Sequence, residues 1–179
     1  MVHKWNFKKI ICYAAILLLC LFYCSIFYQG IRPNVCEEYQ MFYIDITLKD
    51  WPGLGGLAYE PGTKLVFKND DNLPNRVKNR GKGWDELEED GCRNAAGQAE
   101  LYFRGLPDNN YILSLEFTEI KSKIDVFMNG KFIGQISEQD KMKHALNLPN
   151  ELIKDGKIDI IFEAETGNFK MKSVSINRV

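Results

Sequence analysis

The stretch IDVFMNGKFIGQI, residues 124–136, predicts a β-hairpin and decides the fold class of this chain. Asn129-Gly130 separates two runs of β-forming residues, and both residues of an Asn-Gly pair tolerate the positive φ angles of a two-residue hairpin turn. Other runs alternate with period two, and 3.6-residue periodicity is almost absent. These runs are residues 42–48, 64–67, 99–103, 111–117, 145–148, 157–163 and 171–176. Roughly eight or nine short strands predict an all-β domain, a jelly-roll-like two-sheet β-sandwich.

The polar segment 68–94 interrupts this alternation and is predicted to be a long loop or pair of loops. Loops of that length in a compact domain often carry function. Trp84 is the only aromatic residue in the segment, and an aromatic ring on a polar loop can stack on a sugar face. The alternative is that Trp84 closes one end of the core. We therefore predict Trp84, Glu86 and Trp51 as ligand-binding residues, with Trp51 open to the same two interpretations.

The N-terminal segment is predicted to span a membrane. Residues 10–27 (IICYAAILLLCLFYCSIF) contain no charge, and as a helix they cover roughly 27 Å. Lys4, Lys8 and Lys9 precede them, which predicts a cytoplasmic N-terminus. The resulting division is a cytoplasmic tail (1–9), a transmembrane signal anchor (10–28), a linker (29–40) and an exported β-sandwich domain (41–179). A cleaved signal peptide is disfavoured because no A-x-A pattern follows the apolar run.

Charge and cysteine content restrict the exported part further. It holds all 24 acidic residues and 20 of the 23 basic ones, a net charge of 20 − 24 = −4, which argues against binding to nucleic acid or anionic lipid. Cys36 and Cys92 are the only cysteines outside the apolar segment. In an oxidising compartment a Cys36–Cys92 disulfide is possible, and the sequence leaves this disulfide and two free thiols equally open.

No catalytic constellation is found in the sequence. His144 is the only histidine beyond the N-terminal tail, and no serine stands in a G-x-S-x-G setting. The segment GLGGLA, residues 53–58, matches a nucleotide-binding fingerprint but is followed by turn residues instead of a helix. The carboxylates of residues 85–90 lack the spacing of an EF-hand loop and indicate a solvated acidic face. We therefore predict no catalytic residue, no metal site and no cofactor.

Three segments together resemble a known kind of domain. They are GWDELEEDGCRNAAGQAELYFRGLP (83–107), YILSLEF (111–117) and the hairpin at 124–136. The sequence over 59–177 resembles the β-sandwich domain appended to bacterial membrane glycosyltransferases and phosphoglycerol-transferase-like envelope proteins. That domain is similar to a carbohydrate-binding module. The resemblance implies an accessory role in envelope glycan biology and no defined catalytic residues.

The predicted function is that of a non-catalytic accessory protein. We expect a single-pass inner-membrane protein whose periplasmic domain binds glycan or the envelope machinery that handles glycan. The first alternative is a structural subunit that docks on a multi-spanning glycosyltransferase. A small envelope hydrolase is the second alternative, and it is disfavoured because a base is missing.

Overall fold

The computed structural model describes residues 7–31, 34–67, 81–137 and 142–179. The chain forms two units, Met1–Cys36 and Glu37–Val179. The first contains helix α1 (Phe7–Ile31). Within α1, the segment Lys9–Ile31 is long and apolar enough to cross a membrane. The second unit is the β-domain.

The β-domain opens with a short helix, Glu37–Tyr39, that continues as one turn of π-helix, Gln40–Ile44. A 3₁₀ turn, Asn150–Leu152, precedes the last strand. The strands in chain order are β1 (Leu65–Val66), β2 (Trp84–Leu87), β3 (Arg93–Phe103), β4 (Tyr111–Ile120), β5 (Ile124–Met128), β6 (Lys131–Ile136), β7 (Lys143–Leu148) and β8 (Ile158–Arg178).

Strand β8 is the centre of the antiparallel sheet. Its first half pairs with β5 on one side and β3 on the other. Its second half pairs with β4 on one side, and with the start of β3 and then β1 on the other. The edges are completed by β2 on β3, β6 on β5 and β7 on β4. The eight strands of the described residues therefore form one hydrogen-bonded sheet, and β8 runs through both halves of it.

Buried side chains from both halves form one core. Alternate residues of β4 (Tyr111, Leu113, Leu115 and Phe117) face inward, and so do Ile158, Ile160 and Phe162 of β8. Removing this apolar surface from water stabilises the fold, at about 25 cal/mol per Å². A smaller second core of Met41, Leu48, Leu57 and Tyr102 holds the π-helical segment against β3.

The prediction of an all-β domain preceded by one apolar helix is confirmed. The hairpin strands have the predicted bounds, and Asn129 and Gly130 have φ angles of 48° and 77° at the turn. The two predicted sheets are continuous because the runs 157–163 and 171–176 belong to the single strand β8. The strand predicted at 42–48 is wrong, because the chain winds into the π-helix there and Thr47 donates its backbone N–H to the Met41 carbonyl at 2.8 Å.

Candidate functional site

Trp84 lies in the core and not on a loop surface. It begins β2, only 3% of it is exposed, and its ring packs on Phe67 at a centroid distance of 4.7 Å and edge-on against Phe169 at 6.0 Å. The indole Nε1 donates a hydrogen bond of 2.8 Å to the Glu100 carbonyl. Trp84 is therefore a core plug, and the prediction that its ring stacks on a ligand is corrected by this burial.

Gly83, the residue before Trp84, explains why the segment folds inward. Its φ is 87°, and a Cβ at this position would lie 1.6 Å from the Gln98 carbonyl oxygen. Only glycine permits this approach of β2 to β3. The Gly-Trp pair of the sequence thus has a packing role. The remainder of the predicted loop at 68–80 lies outside the described residues.

The other two predicted contact residues have different places in the fold. Glu86 is in the middle of β2. Trp51 is 39% exposed and packs against Phe42 and Tyr43, with ring centroids at 5.7 and 5.6 Å. The structure therefore joins Trp51 to the helical segment that opens the domain, and not to Trp84.

A polar groove of about 370 Å³ lies on the outer face of the sheet, where β7, β4 and β8 are neighbours and residue 64 precedes β1. Two cross-strand rows form its floor. One row pairs Lys143 with Glu116 and Glu116 with Ser173, and the other pairs Ala145 with Ser114 and Ser114 with Ser175. The short side chains of the second row leave a depression, and Lys64 also lines it.

Hydrogen bonds fix the charged part of this groove. Glu116 accepts from Lys64 Nζ at 2.7 Å, from Ser173 Oγ at 3.1 Å and from Lys172 Nζ at 3.4 Å. The hydrogen bond from Lys64 lowers the pKa of Glu116 to about 2 although desolvation of the carboxyl acts in the opposite direction, and Ser173 adds to the lowering. The carboxylate is therefore ionised at any ordinary pH.

The hydroxyl groups of the groove retain hydrogen-bonding capacity. Asn177 Nδ2 donates to Ser114 Oγ at 3.1 Å and to Ser175 Oγ at 3.2 Å. Each serine accepts in these bonds, so its own O–H proton can still be donated to a ligand. The groove thus offers hydroxyl donors, ammonium donors and a carboxylate acceptor on a rigid sheet.

The sequence contains a signal for the outer face on which this groove lies. The runs ILSLEF (112–117) and SVSIN (173–177) alternate apolar residues with polar ones, so the polar set must share the outer face. What the runs cannot give is the register that places Ser114 beside Ser175, because β4 and β8 lie far apart in the chain.

A second charged cluster surrounds Arg104, just after β3. Its Nε donates to Glu37 at 2.9 Å and its Nη1 to Asp159 at 2.6 Å, while Lys157 Nζ donates to the other Glu37 oxygen at 2.9 Å. Desolvation acts against ionisation of Glu37, but the hydrogen bonds from Lys157 and Arg104 prevail and lower its pKa. The Arg104 cluster fixes the start of the β-domain to the sheet.

The remaining reactive side chains among the described residues outside α1 are His144, Cys36 and Cys92, and they lie in different surroundings. His144 packs edge-on against Phe117 at 5.7 Å, and its Nε2 is buried without a hydrogen-bond partner in the described part of the chain. Cys36 is exposed and Cys92 is buried, and both are free thiols, so the predicted disulfide is not formed in this structure. Burial raises the pKa of the Cys92 thiol, which keeps it protonated. Within the described residues no group of His, Cys, Asp and Glu is arranged to hold a metal ion.

Comparison with known proteins gives structural similarities only. No model of a protein family matches this sequence, and no curated protein matches it. A family GH115 4-O-methyl-α-glucuronidase with specificity for decorated arabinogalactans is 10% identical with a TM-score of 0.47, over 68% of this chain and 18% of the glucuronidase.

Two solved carbohydrate-binding modules are also similar to this chain. A family 35 module from an environmental isolate is 16% identical with a TM-score of 0.39, over 63% of this chain and 81% of the module. A family 35 module from Paenibacillus barcinonensis is 9% identical with a TM-score of 0.40, over 65% of this chain and 90% of the module.

Proposed function

We propose that this chain is a membrane-anchored accessory protein whose β-domain binds glycan through the polar groove around Ser114 and Glu116. The proposal rests on the groove itself. A sugar presents many hydroxyl groups that both donate and accept hydrogen bonds, and the groove offers both kinds of partner on neighbouring strands. Because the hydrogen-bond network holds Glu116 in one position, binding would cost little side-chain ordering.

We further propose that the protein is not an enzyme. A general base works best with a pKa near the operating pH, and Glu116, with a pKa of about 2, is too weak a base for that role. His144 is packed on Phe117, and its buried Nε2 has no hydrogen-bond partner in the described part of the chain. The groove therefore suits recognition better than acid-base catalysis.

The proposed location is the inner membrane, with the N-terminus in the cytoplasm and the β-domain in the periplasm. The supporting observations are the apolar helix α1 and the three lysines within the first nine residues. The bound glycan, or the envelope machinery that handles it, would then lie near the bilayer. The rival proposal remains a structural subunit that docks on a multi-spanning glycosyltransferase.

Glycan binding can be tested with the full-length protein in nanodiscs on a glycan array, followed by titration of any glycan that binds. Ser114→Val removes the hydroxyl and fills the depression with a side chain that suits a strand. We expect affinity to fall about tenfold or more, roughly 1.4 kcal/mol. The contribution of the Glu116 carboxylate to binding should not change from neutral pH down to pH 5, because Glu116 remains ionised there.

The matched control is Thr118→Val, which removes a hydroxyl from the same strand outside the groove. It should bind like the wild type. Equal binding by wild type and Ser114→Val would exclude the groove as the site. A wild-type protein that binds no glycan on the array would overturn the glycan proposal and favour the docking subunit.

A further inference from the structure

The helical segment that opens the β-domain carries an exposed surface of aromatic side chains. Tyr39 and Tyr43 stack one helical turn apart with ring centroids at 4.7 Å, and Phe42 and Trp51 join Tyr43 at 4.8 and 5.6 Å. We call these four side chains the aromatic patch. Tyr43 is 56% exposed, a large apolar surface to leave in water.

Neighbouring residues extend the patch with aliphatic side chains. Ile44, Ile46 and Leu54 are all exposed, Leu54 to 80%. The Gly55 N–H donates to Glu38 Oε1 at 2.9 Å, which places the turn carrying Leu54 beside the helical segment. Met41 and Leu57 point the other way, into the smaller core. The helical segment therefore packs on the smaller core with one face and exposes its other, apolar face to solvent.

Ile46 is difficult to explain by the stability of the isolated domain. Its φ is 53°, in the left-handed region that a β-branched residue rarely adopts. Its side chain is 64% exposed, so the burial of this side chain within the domain does little to offset the backbone strain. Glycine or asparagine would be the easier residue here, so an isoleucine indicates an apolar contact outside the chain.

The position of the patch along the chain identifies the contact. Tyr39 follows the last residue of α1, Ile31, by eight residues, a reach of at most about 28 Å of extended chain. If α1 spans a bilayer, that bilayer is the apolar phase within reach. Tyr and Trp are also the side chains that favour the zone between headgroups and hydrocarbon.

Charge narrows the class of lipid. Residues 37–51 contain four acidic side chains (Glu37, Glu38, Asp45 and Asp50) and one basic side chain, Lys49. With the side chains of the Arg104 cluster that pair with this segment, Arg104, Lys157 and Asp159, the formal charge is 3 − 5 = −2. Anionic headgroups would be repelled. We propose that the aromatic patch inserts into the interfacial zone of the bilayer that holds α1, in contact with zwitterionic lipid. This inference rests on the proposed membrane anchoring.

The test uses the full-length protein in zwitterionic nanodiscs and measures tryptophan fluorescence. Trp5→Phe removes the tryptophan next to the apolar segment and leaves Trp51 and Trp84. Lipids brominated near the glycerol end of the acyl chain should quench most of the Trp51 emission, and lipids brominated near the methyl end should quench less. The quenching should not change between low and high salt, because the contact is apolar.

The control is Trp5→Phe with Trp51→Phe, which retains only Trp84 in the core. Its emission should be unaffected by bromine and also reports that the domain is folded. Difference spectra between the two variants give the Trp51 signal alone. Trp51 that is quenched by aqueous iodide and not by brominated lipid would overturn the inference. Trp51 shielded from both quenchers would overturn it as well, since a protein would then cover the patch.

Alkaline carbonate extraction separates this inference from the proposed function. A chain that is extracted is not anchored, and the proposed anchoring then fails. A chain that stays with the membrane while Trp51 remains open to iodide keeps the anchoring and loses only the lipid contact of the patch.

Discussion

Trp84 and Trp51 occupy opposite environments in one small domain. Trp84 is 3% exposed, touches three phenylalanine rings and donates its indole hydrogen to a backbone carbonyl. Trp51 lies in a cluster whose outer face is open. Both follow or precede turn residues in the sequence, so their neighbours do not distinguish them. The strand pairing of the whole domain decides which ring is enclosed.

This difference shows where binding can be sought in such a domain. The tryptophan within the more polar segment is a structural residue, because Gly83 allows β2 to approach β3 and bury the ring. Trp51, near the start of the domain, is partly exposed and can therefore contact a lipid or a partner outside the domain. The sequence left both tryptophans open to ligand contact or to a core role, and the structure gives Trp84 the core role.

The largest expected difference between the two tryptophans is in the free energy of unfolding when each is replaced by alanine. Trp84→Ala should lower the free energy of unfolding by about 3–5 kcal/mol, because it leaves a cavity in the core. It also removes the indole hydrogen bond to the Glu100 carbonyl, which keeps only the bond from the Gly81 N–H at 2.7 Å. Trp51→Ala should cost less than about 1 kcal/mol. Urea denaturation of the full-length protein in detergent, followed by circular dichroism, measures both. Equal losses for the two variants would contradict the assignment of core and surface.

A smaller effect is expected from the backbone that encloses Trp84. Gly83→Ala combines a left-handed backbone with a clash against the Gln98 carbonyl, and should cost about 2–4 kcal/mol. Gly130→Ala is the matched control, since its φ is also positive and no atom lies within 4 Å of the added Cβ. It should cost about 1 kcal/mol. Thermal unfolding of the two variants should differ clearly, and similar midpoints would remove the steric argument.

The smallest effect concerns the attachment of the aromatic patch segment. Glu37→Gln should lower the free energy of unfolding by up to about 1 kcal/mol at pH 7, since its bonds to Arg104 and Lys157 are partly exposed and screened. The pKa of Glu37 is lowered in the folded state, so its contribution is complete above the unfolded pKa near 4.5 and is lost as pH falls through the folded value.

The expected signature is a wild-type advantage over Glu37→Gln that shrinks below pH 4.5. Paired urea titrations at pH 7, 5 and 3.5 measure it. An advantage that is unchanged at pH 3.5 would mean that Glu37 does not act through its charge.

Local patterns predicted the β-domain well and its site poorly. The hairpin strands β5 and β6 have their predicted bounds because the Asn-Gly turn is a local signal. The helical turn at 40–44 was missed because Phe, Tyr and Ile favour strands, and its conformation is set by the packing of Met41 on Leu57 and Tyr102. The groove depends on the register between β4 and β8, which no local pattern encodes.

Strand β8 gives this domain a particular order of assembly. It is the last strand in the chain, yet β1, β3, β4 and β5 all pair with it. A polypeptide made from its N-terminus cannot complete this sheet until residues 158–178 have emerged, and most of its pairings then close large loops. Until that moment the edges of β3, β4 and β5 are open to wrong partners. The edges of β1, β3, β4 and β5 that face β8 therefore stay open until residues 158–178 have been made, although β2–β3, β4–β7 and β5–β6 can already pair.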